Sequence, residues 1–212
     1  MLRSALVIIL LTVCSWLPST TALAMNFDNP AFAPAGTATS IPIGHVEFCQ
    51  TRPAECVKNS IEVQAVTLNQ DNWSQLLEIN KKYNAEIRPI TDQDLYRVAE
   101  FWTYPNGAGD CEDYVLAKRR ALIDAGWPKS TLLITVVRQA NGAGHAVLMV
   151  RTDRGDLVLD NQDGLILRWS ETPYTYIKRQ SQAHAGIWVE LFDDASNGLR
   201  GTASASVGST NR

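Results

Sequence analysis

Apolar and polar positions along the chain change period as it proceeds. Residues 61–66, Ile-Glu-Val-Gln-Ala-Val, alternate and predict a short strand. From Trp73 the period becomes helical, through Leu76, Leu77, Tyr83 and Ile87 with Asn80 as a polar exception. Asp71 and Asn72 are candidate caps, and Pro89 ends the run. A second helix, capped by Asp92 or Asp94, is predicted through Leu95, Val98, Ala99 and Trp102. Residues 104–109, Tyr-Pro-Asn-Gly-Ala-Gly, form a glycine-rich loop before a third helix that starts at Asp110 or Cys111. That helix carries acids in its first turn and Lys118, Arg119 and Arg120 further on, as the helix dipole favours, and stops at Gly126 and Pro128. Strand patterns follow over 131–137, 145–151, 156–160, 165–169 and 187–191, with a turn at 152–155. Helices followed by an antiparallel sheet make the fold class α+β.

The two ends differ from this middle. Arg3, the apolar run over 5–13 and the closing Ala22-Leu23-Ala24 describe a secretory signal peptide over 1–24. The run is shorter than the roughly 20 residues a membrane span needs. Residues 25–43, with Pro30, Pro34, Gly36 and Pro42, are expected to be a flexible segment, and 194–212, rich in Ser, Gly, Thr and Asn, a disordered tail. The remaining 44–193 have the length of one domain with a single core. Net charge is −3 with both signs interspersed, which gives no basic stripe for nucleic acid or anionic membrane. A periplasmic or secreted location follows from the signal peptide.

Without the signal, Cys49, Cys56 and Cys111 remain. Export means an oxidising compartment, and Cys49 and Cys56 are spaced to close a small loop around Arg52-Pro53. Cys111 is then the odd cysteine, either a reactive thiol or a buried inert one. It sits at a predicted helix start, where unpaired N–H groups lower a thiol pKa and can donate to an oxyanion. Asp110, Glu112 and Asp113 oppose a thiolate unless they turn away, pair with bases or bind a cation. A thiol nucleophile needs a base. His145 opens an apolar strand after Gly142 and Gly144, where it is either that base or a satisfied core histidine. Asp160 ends the next strand. With the turn centred on residues 154–155 or on 153–154, Asp160 shares the face of His145 and can orient its ring; its other reading is a strand-end cap. Trp102 is a core residue or a donor to the oxyanion.

The order Cys at a helix start, His on a strand and Asp on the next strand resembles papain-like and transglutaminase-like cysteine hydrolases. The closer resemblance is to the bacterial transglutaminase-like cysteine peptidase family, over about residues 44–190. Phe48-Cys49, Arg52-Pro53, Cys56, Phe101-Trp102, Pro105, Gly109-Asp110-Cys111-Glu112-Asp113-Tyr114, Gly144-His145-Ala146-Val147-Leu148 and Leu159-Asp160-Asn161 carry it. The resemblance implies a papain/transglutaminase-like core and a periplasmic thiol protease that clips a surface adhesin and so releases biofilm. It also implies calcium held by acidic residues flanking the nucleophile, here Asp110 and Glu112. Hard cations prefer carboxylate oxygens. Helix capping is the alternative role of both acids.

Three functions are consistent with these residues. The first is hydrolysis of an exported protein through Cys111, His145 and Asp160. A transglutaminase or acyltransferase would use the same thioester and an amine acceptor. A non-catalytic calcium-dependent binding protein would have no need of Cys111.

Overall fold

A computed structural model describes residues 31–192; the expected signal peptide and the expected tail lie outside the described residues. The segment expected to be flexible supplies the first strand, β1 (Ala35–Thr39), which pairs antiparallel with the last. Most of its side chains are exposed, so ladder hydrogen bonds hold it and its composition gives no sign of a strand. Helix α1 (Ile43–Thr51) follows and buries Gly44, His45 and Phe48. The Cys49–Cys56 disulfide ties the end of α1 to the 3-10 turn Pro53–Glu55, with Cα atoms 5.6 Å apart.

Residues 61–66 are not a strand. Val66 makes a single bridge to Thr152, while the Val63 N–H is held by the Ser130 hydroxyl at 2.9 Å. Their alternation reflects a chain laid against the domain edge. Helix α2 (Gln70–Glu86) begins one turn earlier than read: Asn69 caps it, and its Asn72 bonds back to the Asn69 N–H. The polar exception Asn80 is buried, accepting from Lys118 at 2.8 Å and donating to the Gly164 carbonyl at 3.2 Å. Strand β2 (Arg88–Pro89) pairs with β3 (Ala108–Gly109). Between them α3 (Asp92–Leu95) is a single turn rather than a helix reaching Trp102. The chain reverses at Arg97, whose φ of 64° is incompatible with a continuing helix.

Helix α4 (Cys111–Asp124) ends as read, with Gly126 at φ 93°. Then come β4 (Leu132–Arg138), β5 (Gly144–Thr152), β6 (Gly155–Leu159), β7 (Leu167–Arg168), β8 (Thr175–Gln180) and β9 (Trp188–Leu191). They form one antiparallel sheet in the order β1-β9-β8-β4-β5-β6-β7. Helices α2 and α4 cover one face through Leu76, Leu116 and Leu122 against Ile134, Leu148 and Leu159. Each such side chain contributes about 1.5–3 kcal/mol by leaving water. The other face packs Leu133, Val147, Met149 and Val158 against Trp169 and Tyr176. This layout brings the N-terminus of α4 to the start of β5. Among the described residues, no helix is long and apolar enough to cross a membrane.

Candidate active site

Cys111 opens α4 behind the buried Gly109, where any side chain would collide with the Asp113 carboxylate. The thiol is half-buried and meets two groups. It donates to Glu112 Oε2 at 3.1 Å and accepts from the backbone N–H of Ala146, one residue past His145. Burial, followed by the Glu112 carboxylate, holds the thiol pKa well above its usual value. Burial and the adjacent Asp110 in turn push the Glu112 carboxyl up to about 9. The anticipated charge conflict is therefore relieved by protons, which both the thiol and the Glu112 carboxyl retain near neutral pH. Among the described residues no hydrogen bond joins Cys111 to His145.

His145 and Asp160 do meet. The turn is centred on residues 153–154, with Thr152 opposite Gly155 and Leu148 opposite Leu159, so both side chains take the face of Val147 and Val158. His145 Nε2 lies 2.9 Å from Asp160 Oδ1, with both groups buried. Asp160 also accepts from the Gln162 N–H at 2.9 Å and the Tyr174 hydroxyl at 2.5 Å. Burial opposes ionisation of Asp160, but these three donors outweigh it and hold the carboxyl below its usual range. An ionised carboxylate only accepts, so Nε2 of His145 carries a hydrogen, and the tautomer this selects has its lone pair at Nδ1.

Three aspartates form a second centre beside the nucleophile. Oxygens of Asp92, Asp110 and Asp113 lie within 4.8 Å of one another. Each spends one oxygen on a backbone donor. Asp92 accepts from Phe101, Asp110 from Asp92 at 3.3 Å and Asp113 from Thr103 at 2.9 Å. The other oxygens, Asp92 Oδ1, Asp110 Oδ1 and Asp113 Oδ2, are buried with no hydrogen-bond partner. Burial first, then mutual repulsion, raises Asp92 to about 6 and Asp113 to about 7. Such a set of hard, unpartnered oxygens fits a hard cation. Of the two acids expected as metal ligands, Asp110 belongs to this set, and Glu112 accepts from the thiol while its carboxyl also meets those of Asp110 and Asp92 at the edge of the set.

Residues 35–196 match the family model of the bacterial transglutaminase-like cysteine proteinases, BTLCP. The chain belongs to that family. It is thus a transglutaminase-like cysteine peptidase, and its substrate is a protein. No curated protein matches the chain. Solved structures of LapG from Legionella pneumophila resemble it. The calcium-bound form is 25% identical with a TM-score of 0.49, over 56% of this chain and 68% of that one. An EGTA-treated form is 26% identical with a TM-score of 0.48, over 59% and 74%.

In this cysteine peptidase, several residues around the two centres escaped the sequence reading. In the sequence Asp92 is marked only as a candidate helix cap. Tyr174 lies in no local pattern that marks it, and only the folded sheet brings it to Asp160; Gln162 reaches Asp160 through a local turn but meets His145 only through the strand register. Trp102 is buried in the helix-side core, and its indole N–H donates to Glu100 at 3.1 Å. His45 is a satisfied core histidine. Its Nδ1 accepts from the Trp188 N–H at 3.2 Å, and burial followed by the charge of Arg119 lowers its pKa to about 4.

Proposed function

We propose that this peptidase hydrolyses peptide bonds of an exported protein with Cys111 as nucleophile, His145 as acid and base, and Asp160 as orienter. The observation that carries the reading is the fixed ring of His145. Asp160, itself held by Tyr174 and Gln162, takes Nε2–H and leaves Nδ1 as the proton acceptor, on the strand whose next N–H meets the Cys111 sulfur. The thiol proton passes to Nδ1, and the thiolate attacks the amide carbonyl. The Cys111 backbone N–H, at the start of α4, donates to the oxyanion. His145 then gives its Nδ1 proton to the leaving amine, and later takes one from the water that opens the thioester.

Asp92, Asp110 and Asp113 are the residues that would hold calcium, because each offers a buried oxygen with no donor. When bound, the ion supplies positive charge next to a thiolate that Glu112 and Asp110 otherwise disfavour. Export is supported by the leader pattern over residues 1–24 and by the Cys49–Cys56 disulfide, which an oxidising compartment preserves. A surface adhesin of the same cell is the substrate that the sequence resemblance implies.

The test is cleavage of a proteome-derived peptide library in the presence of calcium chloride, read as new N-termini by mass spectrometry. The wild type should generate a recurrent cleavage pattern, and Cys111→Ala none, with an unchanged far-UV circular dichroism spectrum. Cleavage by the folded Cys111→Ala protein would reject the mechanism.

A further inference from the structure

The reacting nitrogen of the base already has a partner within the protein itself. The register that places Leu148 opposite Leu159 carries Gln162 opposite His145 just beyond the end of β6. The Gln162 side-chain Nε2 lies 3.4 Å from His145 Nδ1. Its orientation follows from two neighbours. Gln139, after β4, donates to Gln162 Oε1 at 3.1 Å, which leaves the NH2 end facing the ring. Asp160 takes the Nε2 hydrogen, so Nδ1 is the lone pair that an amide N–H seeks. The two glutamines thus join the loops at the ends of two sheet hairpins beside His145, which is only 3% exposed although Gln162 itself is exposed.

We propose that Gln162, steadied by Gln139, is a displaceable guard on the catalytic base. Its amide occupies His145 Nδ1 until substrate arrives, and only its departure lets that nitrogen take the Cys111 proton. The inference rests on the triad reading above. A single lone pair cannot serve both the Gln162 amide and the thiol. The thiol correspondingly donates to Glu112 rather than to the ring. The guard is built to yield. Its contact is long, and an exposed amide exchanges a protein partner for water or for a substrate carbonyl at little net cost. The bond on the other side of the ring, 2.9 Å to buried Asp160, has no such freedom. A peptide laid across the α4 N-terminus brings carbonyl acceptors that compete for the amide, so the base is uncovered when there is a bond to cleave.

The experiment measures alkylation of Cys111 by iodoacetamide at one fixed pH in calcium chloride, quantified on the Cys111 peptide by mass spectrometry. Wild type, Gln162→Ala, Gln139→Ala, His145→Gln and the Gln162→Ala/His145→Gln double variant are compared, each checked for folding by thermal unfolding. Gln162→Ala should label several-fold faster than wild type, Gln139→Ala should fall between them, and His145→Gln should label more slowly. Damage to the fold would not produce a faster rate that also depends on His145. If Gln162→Ala labels no faster than wild type while His145→Gln is slow, the guard is wrong and the triad stands. If His145→Gln labels as fast as wild type, the triad reading fails and the guard fails with it.

Discussion

Asp160 accepts three hydrogen bonds, whereas Asp92, Asp110 and Asp113 each leave one buried oxygen without a donor. Both groups are carboxylates withdrawn from water within one domain, and their charge states move in opposite directions. Asp160 is held below its usual pKa by its donors, while Asp92 and Asp113 are raised by burial and by the charge of Asp110 between them in the group. An unpaired buried carboxylate costs several kcal/mol, a cost that donors or a cation must offset. The first group is complete in the protein alone. The second is complete only when positive charge joins it. On the proposed reading, one orients a ring at all times and the other responds to an ion.

Removing the acceptor at Asp160 should have the largest effect. Asp160→Ala leaves the His145, Tyr174 and Gln162 donors facing a void, and peptide hydrolysis should fall about 10³–10⁴-fold. Asp160→Asn should fall less, because its amide oxygen still accepts from Nε2–H while its NH2 opposes one of the other donors. Steady-state kcat for the three proteins checks this order. Equal rates for Ala and wild type would remove Asp160 from the site.

The aspartate group should show its effect in stability. Calcium at about 100 times its Kd stabilises the folded state by about 2.7 kcal/mol, a rise in Tm of roughly 5–10 °C for a domain of this size. Asp113→Asn keeps the shape but supplies less charge, and should lose most of that rise in a calcium titration followed by thermal unfolding. Asp160→Asn should retain it. A calcium response that survives in Asp113→Asn would place the ion elsewhere.

Tyr174→Phe sharpens the comparison from the other side. It removes one donor from Asp160 and keeps the ring 5.5 Å from His145. A hydrogen bond to a charged group is worth about 1.5–3 kcal/mol, so kcat should drop roughly 10-fold or somewhat more with KM little changed. The calcium response should be intact.

The sequence announced local chemistry far better than it announced convergence. Cys111 was legible because a glycine-rich loop and an acidic first turn mark a helix start, and Gly126 marks its end. The shared face of His145 and Asp160 was legible because strand alternation carries through a two-residue turn, provided no bulge intervenes. The strand β1 was invisible, because an exposed edge strand needs no apolar pattern. The segment 61–66 had the pattern of a strand but finds no continuous partner to pair with. Strand β8 carries Lys178 and Arg179 in its middle, and the buried Arg179 is compensated by Asp156 from another strand, which no local window contains. Asp92 and Tyr174 reach their sites by the same route. Each is an ordinary loop or turn residue until the chain closes, and its role exists only as a distance to residues far along the sequence.

The finest test of the two carboxylate groups is how calcium stabilisation changes with pH. Metal-free Asp92 and Asp113 have pKa values of about 6 and about 7, above the ordinary 3.8. Between those limits the folded form binds more protons than the unfolded one. Their contribution is therefore present at low pH and is lost as pH rises through 6 to 7. Calcium needs the same oxygens unprotonated, so it must displace those protons, and each unit below a pKa costs about 1.4 kcal/mol per proton. The calcium-induced rise in Tm should thus be greatest near pH 7.5 and shrink by a few degrees at pH 5.5. Three other buried groups also titrate there. Glu112, raised to about 9 by burial and by Asp110, lies against the aspartate group, so its proton adds to those that calcium displaces and acts in the same direction. His45, lowered to about 4, costs stability as pH falls below 6.5, and Lys118, lowered to about 7, does so between 10.5 and 7. Neither is in the aspartate group, so both act equally with and without calcium and cancel in the difference. Asp160 titrates below 3.8 and is silent throughout this range. A calcium increment independent of pH from 5.5 to 7.5 would mean that the ion meets carboxylates already ionised, and the three orphaned oxygens would not be its ligands.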